Sequence, residues 1–194
     1  MLASLQRTQT VLEAMQHDAV FLDTLDQAIA VLCACFQDGK KIMFAGNGGS
    51  AADAQHMAAE FVARFMLDRP GLPAIALTTD TSALTAIGND YGFDALFSRQ
   101  IEALGQKGDV LVAYSTSGRS PNILKALRTA KSKQMKSIGM TGNHPENQVM
   151  ADLCDITIRI PSDLTPHIQE GHLIVGHMLC GIVEQKLFAH KEHT

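Results

Sequence analysis

Several features of other protein classes are missing from this sequence. Its 194 residues include only four cysteines and no Cys-x-x-Cys pair, so neither a disulfide framework nor a cysteine zinc motif is indicated. We expect reduced, mostly buried thiols. The net charge of −4 argues against a broad nucleic-acid-binding surface. No run of about 18 uncharged apolar residues appears, and no basic-then-apolar leader opens the chain, so we expect a soluble, cytoplasmic protein.

Internal repeats, low-complexity segments and β-hairpin turn signals are also missing. Short apolar runs alternate with helical patterns instead, which predicts an α/β fold whose parallel sheet has helices on both faces. The five expected strands are residues 42–45, 73–77, 109–114, 136–140 and 155–160. The length and the 46% hydrophobic content suit one domain. We expect it to span 1–194, with a helical segment at 1–38 and an α/β core at 39–194.

The segment 1–38 is predicted to form two helices. Apolar residues spaced three and four apart predict a buried stripe along the second one. The stripe consists of Leu22, Leu25, Ile29, Leu32 and Phe36. The first helix is expected to contact another subunit, because a lone amphipathic N-terminal helix has little else to bury against.

A glycine-rich loop, Gly46–Gly49, joins a predicted buried strand to an alanine-rich helix. Glycines allow a close approach to an anion, and a helix N-terminus offers free N–H groups, so the loop is a candidate phosphate site. Ser50 is predicted to cap the helix, with Asp53 three residues later in capping-box spacing. The alternative is a plain turn, because the loop matches neither the dinucleotide nor the Walker pattern.

His56 and Glu60 are four residues apart on the same predicted helix and therefore share a face. They are a candidate metal ligand and a candidate base. The alternative is a solvated surface pair. The small residues Ala52, Ala59 and Ala63 argue against it, because they would let this helix pack closely.

A second loop, Ser115–Pro121, follows the third predicted strand and is rich in hydroxyl groups. Together with free helix N–H groups, these hydroxyls can bind a phosphate monoester without lysines. The alternative is a connector with a capping serine. Two such loops at strand carboxyl ends favour a ligand site, because open α/β sheets bind ligands there.

Two further regions carry candidate polar ligands. Asn89 and Asp90 lie in a predicted loop between Gly88 and Gly92, and a turn explains them as well as binding of sugar hydroxyls does. On the last predicted helix, from Pro166 to about Phe188, Gln169 and His177 lie on one stripe and could complete a site begun by His56 and Glu60. The alternative for a lone helical histidine is a core residue.

Five motifs in order carry a resemblance to a known family. They are Gly46–His56, Leu77–Ser82, Ala86–Asp90, Ser115–Gly118 and Ile168–Glu170. Together they resemble the phosphoheptose isomerases of the sugar-isomerase (SIS) domain family, over nearly the whole chain after residue 40. The resemblance implies a flavodoxin-like SIS fold and a homotetramer with active sites between subunits. It also implies conversion of sedoheptulose 7-phosphate to D-glycero-D-manno-heptose 7-phosphate, for the lipopolysaccharide core or other surface heptose.

The resemblance further implies roles for individual residues. Glu60 resembles the catalytic base, in contact with the substrate, and His177 resembles the partner acid. The implied ligands of one Zn²⁺ per subunit are His56, Glu60, Gln169 and His177. The implied phosphate ligands are Ser50, Ser115, Thr116, Ser117 and Ser120. The implied sugar ligands are Asn47, Gly48, Gly49, Asn89, Asp90 and Gln169.

Some features depart from this pattern or leave alternatives open. A base that also binds zinc is a weaker base, so the metal either leaves Glu60 during turnover or is chiefly structural. Arg119 replaces a small polar residue, the loop Asn143–Gln148 lacks a glycine pair, and Thr165–His167 replaces an acidic residue. The rival interpretation is a non-catalytic SIS-domain regulator that binds a replication initiator protein, and the presence of Glu60 argues against it.

Overall fold

The computed structural model describes residues 2–189, so the predicted domain limits at 1 and 194 lie outside the described residues. The helices are α1 Leu2–His17, α2 Ala19–Gln37, α3 Gly49–Val62, α4 Thr81–Tyr91, α5 Leu96–Leu104, α6 Pro121–Ser132, α7 Gln148–Ala151 and α8 Thr165–Phe188. The strands are β1 Ile42–Ala45, β2 Ala74–Ala76, β3 Val110–Tyr114, β4 Lys136–Thr141 and β5 Ile156–Arg159. Short 3₁₀ turns lie at Phe93–Ala95 and Pro145–Asn147.

The five strands form one parallel sheet in the order β2-β1-β3-β4-β5. This confirms the predicted α/β class, and the order is that of flavodoxin-like folds. The chain moves outward in one direction from β1 to β2 and in the other from β3 to β5. The crevice between the carboxyl ends of β1 and β3 is therefore the topological switch point, where such sheets bind ligands.

Alternation along the central strands divides the core between the two faces of the sheet. Ile42 and Phe44 of β1 face a cluster that includes buried residues of α2, α3 and α8. Met43 and Ala45 face a second cluster with residues of α5 and α6. Because neighbouring residues of a strand point to opposite faces, short apolar runs fill both layers at once. All four cysteines are free and three of them are buried, as predicted.

Both predicted N-terminal helices are present. The Asp18 carboxylate caps α2 by accepting hydrogen bonds from the N–H groups of Val20 and Phe21. Most of the predicted stripe of α2 is buried, but Leu22 is 42% exposed and Phe21 is buried instead. The inclusion of Leu22 was therefore wrong, because adjacent apolar residues left the angle of the helix undetermined.

Helix α2 is also long and apolar enough to qualify as a membrane span by length and composition. Its mean hydropathy reaches 1.7, it lies near the N-terminus, and 44% of its apolar window is buried within the fold. Core helices of soluble proteins meet the same criterion. The contacts of α2 with α8 and β5 are those of such a core helix.

Candidate active site at the sheet switch point

The first loop of the site turns sharply at Gly48, whose φ of 57° lies in the left-handed region that favours glycine. Gly48 occupies the N-cap position of α3 and the helix begins at Gly49. The predicted N-cap at Ser50 and its capping box with Asp53 were therefore wrong. Ser50 lies within the first turn and is buried, and its backbone N–H donates to the Asn47 carbonyl at 3.0 Å.

Asp53 has a different environment from the one predicted. Its Oδ2 atom is buried without a hydrogen-bond partner. Burial raises the pKa of this carboxyl, and His56 partly opposes the shift. The Asp53 carboxylate also contributes, after burial and Cys180, to raising the pKa of Tyr114 at the end of β3. Asp53 thus points inward beneath the loop instead of capping the helix.

The loops after β1 and β3 are joined directly across the switch point. Asn47 and Asn122 form a reciprocal pair of amide hydrogen bonds, of 2.9 and 2.8 Å. Asn122 is fully buried in the first turn of α6. The pair fixes the two candidate phosphate loops relative to each other, and the sequence motifs did not identify Asn122.

The second loop presents its hydroxyl groups close together. The Oγ atoms of Ser115 and Ser120 are 3.0 Å apart, and the Ser117 Oγ accepts from the Arg119 backbone N–H at 3.3 Å. Ser120 is the N-cap residue of α6, and Pro121 lies at the start of the helix as predicted. Thr116 lies between these serines, so the loop can offer several neutral hydroxyls to one phosphate.

Arg119 and the loop after β4 line a cavity beside these hydroxyls. The cavity has a volume of about 200 Å³, and its lining includes Thr116, Ser117, Arg119 and His144. The Arg119 guanidinium forms an ion pair with Glu146 across its rim. The charge of Arg119 is therefore shared with a carboxylate, and the phosphate-binding role of the neutral hydroxyls of this loop stays a prediction.

His56, Glu60 and His177 come together between α3 and α8. One ligand atom from each lies within 4.8 Å of the other two, and His56 Nε2 is 3.0 Å from Glu60 Oε1. The His56 ring meets the His177 ring edge-on, with centroids 5.0 Å apart. The predicted grouping of these three side chains is confirmed. Two imidazoles and a carboxylate are a donor set that zinc accepts.

Phe65 contacts the same group and was missed by sequence reasoning. Its ring stacks on the His177 ring with centroids 5.4 Å apart and an interplanar angle of 22°. Phe65 lies just beyond the end of α3, in a segment where no motif signals a role. The stacked ring restricts the orientation of the His177 imidazole, so Phe65 helps to hold that histidine in the group.

Gln169 lies near the first turn of α3, at the opposite end of that helix from Glu60. A Cβ atom built on Gly49 would lie 2.5 Å from Gln169 Nε2. The Gln169 amide thus lies against the glycine loop, where the absence of a side chain makes room for it. Its predicted contact with the sugar fits this position, and its predicted role as a zinc ligand stays a prediction.

Asn89 and Asp90 do not lie in a loop. Helix α4 continues through Gly88 to Tyr91 and ends at Gly92, which has a φ of 82°. The predicted glycine-bounded loop was therefore wrong. Both side chains are exposed on the last turn of the helix, where Asn89 Nδ2 donates to Asp90 Oδ1 at 2.7 Å. Their predicted binding of the sugar stays a prediction.

Comparisons with known proteins agree with this architecture. A family model described as "SIS domain" matches residues 5–142. The chain is 57% identical over 185 residues to "Phosphoheptose isomerase" of Burkholderia pseudomallei (strain 1710b), covering 95% of this chain and 93% of the relative. It is 51% identical over 187 residues to the protein of that name from Aneurinibacillus thermoaerophilus, covering 96% and 93%.

A solved structure gives the same result. The phosphoheptose isomerase structure from Neisseria gonorrhoeae superposes with a TM-score of 0.87 at 41% identity, covering 95% of this chain and 96% of that one. Sequence and structural similarity therefore extend over the same length, from the N-terminal helices to α8. The similarity to enzymes argues against the regulator interpretation.

Proposed function

The chain belongs to the phosphoheptose isomerases of the SIS-domain family, and on this premise we propose that it converts sedoheptulose 7-phosphate to D-glycero-D-manno-heptose 7-phosphate. The product would enter bacterial heptose synthesis for the lipopolysaccharide core or other surface heptose. The observation that carries the proposal is the group of Glu60, His56 and His177, assembled from α8 and from α3, the helix that the glycine loop opens.

An aldose–ketose isomerisation moves one proton between two neighbouring carbons. In our proposal the Glu60 carboxylate removes a proton from C1 of the ketose, while His177 gives a proton to the C2 carbonyl oxygen. The resulting enediol loses its O1 proton to His177 as Glu60 returns the carbon-bound proton to C2. Atoms and charge balance without an external reagent, and each transfer is ordinary general acid–base chemistry.

The phosphate and the sugar are held by different loops in this proposal. Ser50, Ser115, Thr116, Ser117 and Ser120 bind the phosphate through hydroxyl and backbone N–H groups. Asn47, Gly48, Gly49, Asn89, Asp90 and Gln169 bind the sugar. The direct Asn47–Asn122 link between the two loops supports this division, because it holds both ends of the site in one frame.

The donor set also supports a zinc site of one Zn²⁺ per subunit. His56, Glu60 and His177 would hold the ion. Gln169, the fourth ligand that the family resemblance implies, lies against Gly49 at the other end of α3, so it would have to move to reach the ion. When bound, zinc would polarise the substrate carbonyl and stabilise negative charge on its oxygens. The 3.0 Å contact between Glu60 Oε1 and His56 Nε2 keeps the carboxylate close to this imidazole.

We also propose that the protein acts as a cytoplasmic homotetramer of single SIS domains spanning 1–194, with sites shared between subunits. Exposed apolar side chains close to the site support this assembly. Met66 follows Phe65 directly and is 68% exposed, and Met178 follows His177 directly and is 36% exposed. A neighbouring subunit would cover both.

Turnover of sedoheptulose 7-phosphate by Glu60→Gln, with and without a chelator, tests the function. Removal of the base should lower kcat by about 10²–10⁴-fold and leave binding of inorganic phosphate intact. Glu102→Gln is the matched control, because Glu102 is also a helical glutamate in a local ion pair. Turnover by Glu60→Gln at the wild-type rate would contradict the assignment of Glu60 as the base. If the metal-loaded wild type does not convert sedoheptulose 7-phosphate, the proposed isomerase activity is overturned.

A further inference from the structure

A buried carboxylate on α8 organises the backbone that follows α3. Glu184 is 1% exposed. Its two oxygens accept hydrogen bonds from the backbone N–H groups of Phe65 at 3.1 Å, Met66 at 2.7 Å and Leu67 at 2.9 Å. A carboxylate that accepts three successive backbone N–H groups fixes the path of that segment.

Arg69 completes the arrangement from the other side. Its side chain is 1% exposed, and its Nε donates to Glu184 Oε1 at 2.9 Å. The remaining guanidinium nitrogens donate to the carbonyls of Glu60 at 2.9 Å and Phe61 at 2.7 Å. These two carbonyls lie in the last turn of α3, where carbonyls have no partner within the helix. Arg69 therefore caps the end of the helix that carries Glu60.

The Arg69–Glu184 pair consequently touches both halves of the site through buried contacts. On one side it holds the backbone of Glu60. On the other it holds the backbone of Phe65, whose ring stacks on His177. Glu184 and His177 are seven residues apart on α8 and so lie on the same face of that helix.

We propose that Arg69 and Glu184 are positioning residues that set the relative placement of Glu60 and His177. This inference rests on the proposed function of those two residues. Neither Arg69 nor Glu184 belongs to the His56, Glu60 and His177 group. They act through the Glu60 carbonyl and the Phe65 backbone, so a change in the pair shifts the base, the acid or both.

A role in positioning explains why a costly charged pair occupies this place. A buried ion pair loses its hydration, and apolar packing of similar volume is often as stable. The directed hydrogen bonds supply what apolar packing lacks, which is a fixed geometry at the ends of two elements. Misplacement of reacting groups by about 1 Å can cost roughly 10²-fold in rate.

The test compares Glu184→Gln and Arg69→Lys with Asp109→Asn. Glu184→Gln keeps the shape of the side chain and one acceptor oxygen, and Arg69→Lys keeps the charge but not the forked donors. Asp109 is a matched control, because it is 1% exposed, pairs with Lys41 and accepts backbone N–H groups from Lys41 and Gln106. It directly precedes β3, and these partners, Lys41 and Gln106, do not belong to the site.

Four quantities are measured for each variant: kcat, KM, Co²⁺ affinity followed by its visible spectrum, and the free energy of unfolding. We expect both site variants to lose about 10–100-fold in kcat or metal affinity, with little change in KM. Asp109→Asn should lower the free energy of unfolding and leave kcat and metal affinity unchanged. The inference is overturned if Glu184→Gln and Arg69→Lys, like this control, lower only the free energy of unfolding.

A separate outcome distinguishes this inference from its premise. If Glu60→Gln retains turnover, the proposed function fails and the positioning role fails with it. If Glu60→Gln is inactive and Glu184→Gln has wild-type kcat, metal affinity and cobalt spectrum, only the positioning role fails. Folding of each variant is checked by its unfolding transition, and Arg69→Lys provides the second test if Glu184→Gln does not fold.

Discussion

At the scale of single residues, the histidines of α8 differ sharply in environment. His177 is partly exposed and contacts His56 and Phe65. His172, five residues earlier, is fully buried, and neither ring nitrogen has a hydrogen-bond partner. Its ring lies edge-on to Tyr114 with centroids 5.6 Å apart. His177 is therefore accessible from outside the fold, as its proposed role requires, and His172 is not.

Burial lowers the pKa of His172 from 6.5 to about 4. The Thr141 backbone opposes this shift, although it falls short of hydrogen-bond geometry. His172 is therefore neutral in the folded protein at neutral pH. Between the two pKa values the unfolded chain binds a proton that the folded chain does not, so stability falls as the pH falls through this window.

The first prediction follows from that difference. Urea unfolding of the wild type should show stability decreasing from pH 6.5 towards pH 4, with a contribution from His172 on the order of 3 kcal/mol across the window. His172→Gln should reduce this slope, because glutamine does not titrate. His17→Gln, at an exposed histidine at the end of α1, is the control. An unchanged slope in His172→Gln would show that His172 is not the group responsible.

At the scale of elements, most of the fold could be predicted because the signals are local. Apolar runs and turn residues placed all five strands, and the end of α8 was predicted at its observed limit. The predicted end of α4 was wrong because Gly88 costs a helix only about 1 kcal/mol. The helix ends instead at Gly92, whose positive φ is incompatible with a further helical turn.

The residues of the site also fall into two groups: those that sequence spacing brings together, and those that meet only in the folded chain. His56 and Glu60 could be paired from their spacing, because four residues of helix bring them to one face. His177 joins them only through the packing of α8 on α3, and family resemblance supplied that link. Phe65, Asn122 and Glu184 were missed because their contacts are long-range and no motif marks them. The local sequence gives no signal for Glu184, because the polar residues Gln185 and Lys186 follow it directly.

The second prediction concerns the contact between the glycine loop and α8. Gly49→Ala would place a Cβ 2.5 Å from Gln169 Nε2, and the flexible amide would move away at little cost in stability. We expect KM for the sugar phosphate to rise by about tenfold, the value of one lost hydrogen bond. Gln169→Ala should have the same effect, and the double variant should be no worse than either single one.

Gly88→Ala is the matched control for this pair. Its Cβ would lie 3.6 Å from Leu96 Cδ2, an ordinary contact between α4 and α5. The substitution should therefore leave KM unchanged and stabilise the helix by up to about 1 kcal/mol. If the increases in KM caused by Gly49→Ala and Gln169→Ala multiply in the double variant, the two residues do not share a mechanism, because the free-energy effects of independent sites are additive.

At the scale of the whole molecule, the order of the strands decides where chemistry can occur. The β1 and β3 loops meet at the switch point, and α3 runs from there to Glu60 in its last turn, with α8 packed along it. Helix α1 packs on α8 and α2, with Val11 and Met15 buried. Leu5 points away from these contacts and is 65% exposed, which leaves part of α1 for the subunit contact expected from the sequence.

The third prediction tests the tetramer and the sharing of its sites together. Light scattering should give four times the 20.9 kDa chain mass for the wild type. Leu5→Glu and Met66→Glu should each reduce this mass, because a charge in an apolar contact loses its hydration without gaining a partner. If sites lie between subunits, Met66→Glu should lose activity in proportion to the loss of tetramer.

Leu104→Glu, at an exposed residue at the end of α5, is the control for this prediction. A smaller Met66→Glu species with full turnover would mean that each chain holds a complete site, and a wild type that is monomeric and active would overturn the proposed assembly itself.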